Sequence, residues 1–150
     1  MRLPNIVTVT HVLPTGETFH FITKNIRTNA GALLIAQAQG QAAQSPSNYI
    51  ACSALTIVPS IGDLSLPGEI TINGLARQIS AFGGYIAPLI LDGAASYVLS
   101  TTFTATSPQV VNSIGCFNAS ANGVLLAELN IATQNLVAQS TLQIAWTFNV

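Results

Sequence analysis

Charged residues are scarce in this sequence of 150 residues. They make up 6% of the chain, as four Lys or Arg and five Asp or Glu. In soluble domains the usual share is about 25%. A monomer of this length exposes roughly 7,000 Å², so a charged side chain occurs about once per 800 Å² of surface. A surface rich in Ala, Ser, Thr, Asn and Gln packs against neighbours without burying ions. The composition favours a protein that is docked in an assembly, with a low-charge secreted domain as the alternative.

Basic clusters and long apolar runs are also missing. Nucleic-acid binding needs several Lys or Arg on one face, and the chain has four in all. The longest apolar run, residues 85–91, contains Pro88 and precedes Asp92, and it is far shorter than a membrane span. The N-terminus lacks a charged segment followed by an apolar one. We therefore expect no nucleic-acid partner, no membrane association and no secretory signal.

The residue types that usually carry chemistry are few and scattered. Cys52 and Cys116 fit neither a zinc spacing nor a disulfide framework, which predicts buried free thiols. His11 and His20 fall in one predicted hairpin, where a metal pair is conceivable but two partly exposed strand histidines are the simpler interpretation. No nucleophile elbow, phosphate-binding loop or dinucleotide fingerprint occurs. We expect no enzyme activity, no cofactor and no metal.

The apolar pattern predicts one mainly β domain over residues 1–150, an antiparallel β-sandwich or jelly roll with an N-terminal hairpin and one short helix. Residues 5–13 and 18–23 flank a turn at residues 14–17. Asn29 is the expected N-cap of a helix over residues 30–39. The last strand alternates without an exception, and its expected buried residues are Leu142, Ile144, Trp146, Phe148 and Val150.

Between the helix and the last strand, the pattern predicts further strands and loops. One strand is expected over residues 49–58, and a loop follows at 59–68. A strand within residues 69–81 should end where the segment 82–84 breaks the pattern, and residues 85–93 should form an apolar loop. The remaining expected strands cover residues 96–106, 110–117 and 124–131.

Three charged residues lie close together in a chain that has few of them. Asp63, Glu69 and Arg77 fall within fifteen residues of sequence. An arginine can hold two carboxylates through its planar guanidinium. We expect a structural charge cluster that pins the loop to the following strand, and the alternative is a carbohydrate or cation site.

The predicted apolar loop is the candidate interface of the chain. Its large side chains are Tyr85, Ile86, Leu89, Ile90 and Leu91, and Gly83 and Gly84 precede them. Left in water, such a loop would be an association hazard. It therefore contacts a neighbouring subunit, or it folds over one end of its own sandwich and completes the core.

Several short motifs occur in an order that resembles a known family. They are N-I-R-T-N-A-G at residues 25–31, N-Y-I-A at 48–51, D-L-S-L-P-G-E at 63–69, A-R at 76–77, I-G-C-F-N-A at 114–119 and L-Q-I-A-W-T at 142–147. This order is similar to that of small structural proteins of tailed-bacteriophage virions. Members have glycine-rich sequence where residues 52–58 stand here, so we expect a longer strand at that place.

The resemblance implies a virion component that is assembled in the host cytoplasm. The most specific role it implies is capsid decoration, in which a homo-oligomer, with a trimer favoured, binds the major capsid protein or other virion proteins and stabilises the outer shell. The alternative is a tail or tail-fibre component, such as an adaptor or an adhesion module. A carbohydrate-active virion enzyme is disfavoured because no acid/base pair is evident.

Overall fold

The computed structural model describes residues 6–40, 48–86 and 96–149. This part of the chain is mainly β, with two five-stranded antiparallel sheets and one short helix. The elements are β1 Ile6–Val12, β2 Thr18–Lys24, β3 Ile26–Arg27, α1 Asn29–Gly40, β4 Tyr49–Ser53, β5 Gln78–Ile79, β6 Ala81–Ile86, β7 Ser96–Thr104, β8 Gln109–Phe117, β9 Leu125–Leu136 and β10 Thr141–Asn149. The predicted fold class, with its N-terminal hairpin and single helix, is confirmed, whereas a jelly roll stays a prediction.

The two sheets pack face to face as in a β-sandwich. The first sheet has the order β2-β1-β10-β7-β6, and the second has the order β3-β9-β8-β4-β5. Buried residues of both sheets form one hydrophobic cluster. The predicted alternation of the last strand is confirmed, because Leu142, Ile144, Trp146 and Phe148 are fully buried. Val150 lies outside the described residues.

The helix begins at Asn29, one residue earlier than expected, so the N-cap prediction at Asn29 is wrong. Thr28 is the cap: its Oγ1 accepts the N–H of Gly31 at 3.0 Å, and its carbonyl accepts the N–H of Ala32 at 2.9 Å. The Thr28 hydroxyl also donates to the Leu125 carbonyl of β9. One side chain therefore caps the helix and ties it to the second sheet.

The helix lies directly against the backbone of β9. A Cβ added to Gly31 would lie 2.3 Å from the carbonyl oxygen of Leu126. Only glycine allows this close approach. The contact places α1 against β9, next to the short edge strand β3, and Ile35 of the helix packs against the main hydrophobic cluster.

Two strands differ from their predicted bounds because of local backbone features. The strand expected over residues 49–58 ends at Ser53, whose Oγ accepts the Leu55 N–H at 3.0 Å and donates to the Pro67 carbonyl at 2.5 Å. The strand expected within residues 69–81 is only the two-residue β5. Asn73 and Gly74 adopt positive φ values of 57° and 79°, which interrupts extended structure before it.

The glycine pair expected to break the pattern lies inside a strand. Gly83 and Gly84 belong to β6, at a register shift between Phe82 and Tyr85. A β-bulge inserts an extra residue without ending the strand, so the predicted break is wrong. Strand β9 also runs to Leu136, five residues beyond its expected end at Ile131.

A third layer covers the outer face of the second sheet. We call residues 54–68 the covering loop. Ile57 and Leu66 of this loop form a second hydrophobic cluster with residues of β4, β8 and β9, and those are Ala51, Phe117 and Leu125. The covering loop shields a sheet face that would otherwise be exposed.

Candidate functional site

Polar side chains of β8 and β9 hold the covering loop through its backbone. Ser113 Oγ donates to the carbonyl of Leu55 at 2.9 Å. Asn130 binds both backbone groups of Ile57: its Oδ1 accepts the N–H at 2.9 Å, and its Nδ2 donates to the carbonyl at 2.7 Å. The loop therefore has a defined path although it pairs with the sheet as a strand at only one position, the bridge that follows it at Glu69.

The helix and a carboxylate hold the next part of the loop. The Asn29 N–H donates to the Ile61 carbonyl at 2.6 Å. The Ser60 N–H lies 2.9 Å from Asp63 Oδ2 and 3.2 Å from Glu128 Oε1, so the two carboxyl groups share one donor. Glu128, the fourth residue of β9, is fully buried.

The covering loop turns aliphatic side chains in both directions. Ile57 and Leu66 are buried against the sheet. We call the four large aliphatic residues that point to solvent the outer aliphatic set; they are Leu55, Val58, Ile61 and Leu64, with exposed fractions of 52%, 91%, 58% and 74%. Asp63 is the only charged residue of the loop. The loop therefore presents four exposed aliphatic side chains and one charged residue, on a backbone held by hydrogen bonds from β8, β9 and α1.

The paired carboxyl groups of Asp63 and Glu128 titrate differently because their surroundings differ. Burial, and then the hydrogen bond to Asp63, raises the pKa of Glu128 from its ordinary 4.5 to about 7. The same hydrogen bond, and then the Ser60 N–H, lowers the pKa of Asp63. Glu128 therefore keeps its proton below neutral pH and donates it to the Asp63 carboxylate. Glu128 Oε2 has no hydrogen-bond partner, so ionisation would place uncompensated charge inside the protein.

This carboxyl pair predicts stability that falls as pH rises. Between the unfolded pKa of 4.5 and the folded pKa of about 7, the folded state holds a proton that the unfolded state has lost. We expect the free energy of unfolding to drop by about 1–2 kcal/mol between about pH 5 and about pH 8, since solvent near Asp63 screens part of the effect. Urea unfolding at the two pH values measures this drop.

Glu128→Gln is the control for this prediction. It removes the titrating proton but keeps a donor for Asp63. Subtracting its pH dependence also removes the contributions of every other titrating group, because the variant retains them all. An equal drop in the variant would contradict the role of Glu128.

Arg77 makes five contacts with four residues of the described chain. Its Nε and Nη2 donate to Glu69 Oε1 and Oε2 at 2.6 and 2.8 Å. Its Nη1 donates to the carbonyls of Ala119 and Asn122 at 3.1 and 2.6 Å. The guanidinium carbon lies 3.5 Å from the ring centre of Phe117, in a cation–π contact. Arg77 thereby joins the segment after the covering loop to the turn between β8 and β9.

The structure brings together two of the three residues predicted as a charge cluster. Glu69 and Arg77 form a bidentate ion pair with side chains 19% and 10% exposed. Asp63 is not bound to Arg77 but to Ser60 and Glu128, so its assignment to the cluster is wrong. The reason is that Arg77 uses its remaining nitrogen on backbone carbonyls, while Asp63 points back to the sheet.

The two histidines do not meet. His11 of β1 pairs in register with Phe19, and His20 of β2 pairs with Thr10, so the two imidazoles lie on opposite faces of the sheet. The interpretation as a metal pair is wrong. His20 is exposed as expected, but His11 is buried, with Nδ1 3.1 Å from Gln134 Oε1. Residues 6–40, 48–86 and 96–149 contain no group of three or more His, Cys, Asp or Glu able to hold a metal.

The remaining sequence candidates fall into two groups. Cys52 and Cys116 are buried thiols that form no disulfide, as predicted, and burial raises the pKa of both. Of the candidate interface, Tyr85 and Ile86 belong to β6 and not to a loop. Leu89, Ile90 and Leu91 lie outside the described part of the chain.

Sequence reasoning missed the outer aliphatic set and Glu128. A signal for Glu128 was present, because it is the one carboxylate in the apolar run at residues 124–131. The chain matches no protein-family model, no curated protein and no solved structure. Within the described ranges, no helix has the length and apolar character needed to cross a membrane.

Proposed function

We propose that this protein is a non-enzymatic structural component of a tailed-bacteriophage virion, a capsid decoration protein that docks on the major capsid protein and stabilises the outer shell. The observation that supports docking most directly is the outer aliphatic set on a backbone fixed by hydrogen bonds. The virion itself is proposed from the order of sequence motifs given above.

The energetics of this surface suit a docking role. Complete burial of a Val, Leu or Ile side chain contributes about 1.5–3 kcal/mol, and the four residues of the set start more than half exposed. The loop is already ordered by Ser113 and Asn130, so docking costs little additional conformational entropy. The outer aliphatic set can therefore contribute substantially to the affinity for the capsid although it has only four residues.

The scarcity of charge predicts how the attachment responds to salt. Surface ion pairs weaken as the Debye length shrinks from about 10 Å at 0.1 M to about 3 Å at 1 M ionic strength, whereas apolar contacts do not. We expect the protein to stay on its particle when NaCl is raised over that range. Release at high salt would point to charged contacts and contradict docking through the outer aliphatic set.

The experiment that tests the proposed function is a count of copies in purified particles of the phage that encodes the chain. Decoration of a shell predicts copies in the hundreds, and a tail or tail-fibre component, the second candidate, predicts a few to tens. Quantitative mass spectrometry gives the number. Absence of the protein from the particles would overturn both candidates.

Variants of the covering loop test the docking surface itself. Val58→Asp combined with Leu64→Asp changes side chains that are 91% and 74% exposed, so the fold should be retained. Loss of two apolar contacts and burial of two carboxylates should lower particle binding at least about tenfold. Co-sedimentation with particles measures binding, and circular dichroism checks the fold. Val137→Asp, at an exposed site at the end of β9, is the matched control, and equal loss there would argue against the covering loop.

A further inference from the structure

The four edge strands of the sandwich differ in how well they are protected against pairing with another chain. The second sheet ends in β3 and β5, which have two residues each. At one end of the first sheet, β6 carries a bulge. At the other end, β2 has seven residues that pair in unbroken register with β1, without proline and with Lys24 as its only charge. Proteins usually shorten, bulge, charge or cover an edge strand, and along the described chain β2 is the long edge without a bulge.

Exposed apolar side chains gather at this same edge. Phe19 and Ile22 of β2 are 39% and 75% exposed. Ile6, which pairs with the last residue of β2, is 41% exposed, and Ile26 of β3 is 40% exposed. Within the described ranges, no strand pairs with the outer edge of β2, and apolar side chains lie on both of its faces. These are the features of a strand-addition site.

The hairpin register determines which backbone N–H and C=O groups of β2 point toward β1 and which point away from it. The Leu13 N–H donates to the Glu17 carbonyl at 2.8 Å, and hydrogen-bonded pairs alternate along an antiparallel ladder. The odd-numbered residues of β2 therefore bond to β1. The residues whose N–H and C=O point away from β1 are Thr18, His20, Ile22 and Lys24.

We propose that β2 pairs with β2 of a second copy of this chain, antiparallel, about a two-fold axis through Phe21. This register pairs all seven residues and joins two five-stranded sheets into one continuous sheet. Its pairs are Thr18 with Lys24, Phe19 with Thr23, His20 with Ile22, and Phe21 with itself. Every even-numbered residue then forms a hydrogen-bonded pair, which uses all of the free groups of the edge.

The sequence of β2 is complementary to itself in this register. Lys24 faces Thr18, so no like charges meet. Phe21, which packs against the main hydrophobic cluster of its own chain, lies at the axis as a non-hydrogen-bonded pair, where the side chains of paired strands lie closest. A two-fold contact also closes after two copies and leaves no free edge at β2. The inference goes beyond the proposed virion role and does not depend on it, and it favours a dimer over the trimer that the family resemblance implies.

The test is the mass of the isolated protein by sedimentation equilibrium, with the expected result of two chains. His20→Pro removes an N–H that points outward while leaving the β1 ladder intact. A two-fold interface loses two hydrogen bonds, so the dissociation constant should rise roughly 30-fold or more. Ile22→Lys, at a 75% exposed side chain, weakens the same contact without a backbone change. Ile72→Lys, at a 63% exposed side chain outside both β2 and the covering loop, should leave the mass unchanged.

A cross-link tests the register. Phe21→Cys places two thiols at the axis, and mild oxidation should join the chains, whereas Thr18→Cys, far from the axis, should not. The native Cys52 and Cys116 are buried and do not compete. A wild-type monomer, an oligomer that persists in both edge variants, or equal cross-linking at both cysteine positions would overturn the proposal.

Discussion

Trp146→Ala is expected to lower the free energy of unfolding by about 3–5 kcal/mol. Trp146 is fully buried in β10, the central strand of the first sheet, and its ring lies 5.3 Å from that of Phe148. Removal of the indole leaves a cavity between the two sheets, because β10 is paired on both sides and has little freedom to move inward. Urea unfolding followed by circular dichroism measures the loss.

Trp146→Phe distinguishes the effect of lost side-chain volume from the effect of the buried indole N–H. The Trp146 Nε1 is buried without a hydrogen-bond partner, so its removal relieves an uncompensated donor while costing part of the ring volume. We expect Phe to cost less than half of the Ala effect. A loss below about 1 kcal/mol for Trp146→Ala would show that the site collapses on truncation.

Arg77→Ala is expected to cost about 3 kcal/mol, more than the roughly 0–1 kcal/mol of an exposed ion pair. The substitution leaves Glu69, whose side chain is 19% exposed, without its bidentate partner, and it frees the Ala119 and Asn122 carbonyls. It also uncovers the Phe117 ring. Chemical denaturation provides the measurement.

Arg77→Lys is the matched control because it keeps the charge but loses the planar fork. We expect it to recover less than half of the stability. Full recovery by Lys would mean that charge alone matters. If Arg77→Ala retained stability but lost glycan or cation binding, the structural interpretation of the pair would be wrong.

Patterns with a short period predicted the regular part of the fold. The alternation in β10 identified Leu142, Ile144, Trp146 and Phe148 because a strand with one buried face has period two. The hairpin followed from turn residues at 14–17. The break expected at Gly83 and Gly84 is wrong because glycine inside a strand often marks a bulge, and only the pairing of β6 with β7 distinguishes a bulge from a break.

The candidate site could not be predicted in the same way, because it depends on contacts between segments that are distant in sequence. Asp63 is close to Arg77 in sequence, yet its partner is Glu128, sixty-five residues away, because the covering loop folds back over β9. The exposure of Val58 and the burial of Ile57 likewise depend on Asn130, which binds the backbone of residue 57. The spacing of charged residues along the sequence carries no information about such long-range pairings. Glu128, a carboxylate within an apolar strand, is the one part of the site that the sequence pattern marks as unusual.

The residues that fix the path of the covering loop differ from the residues whose side chains it exposes to solvent. Ser113 and Asn130 bind main-chain atoms of residues 55 and 57, and α1 and Glu128 bind main-chain atoms of residues 61 and 60. Main-chain groups are the same for every residue except proline. The side chains at positions 58, 61 and 64 can therefore mutate with little effect on the path of the loop. Such a surface can follow evolutionary change in a binding partner while the sandwich beneath it stays constant.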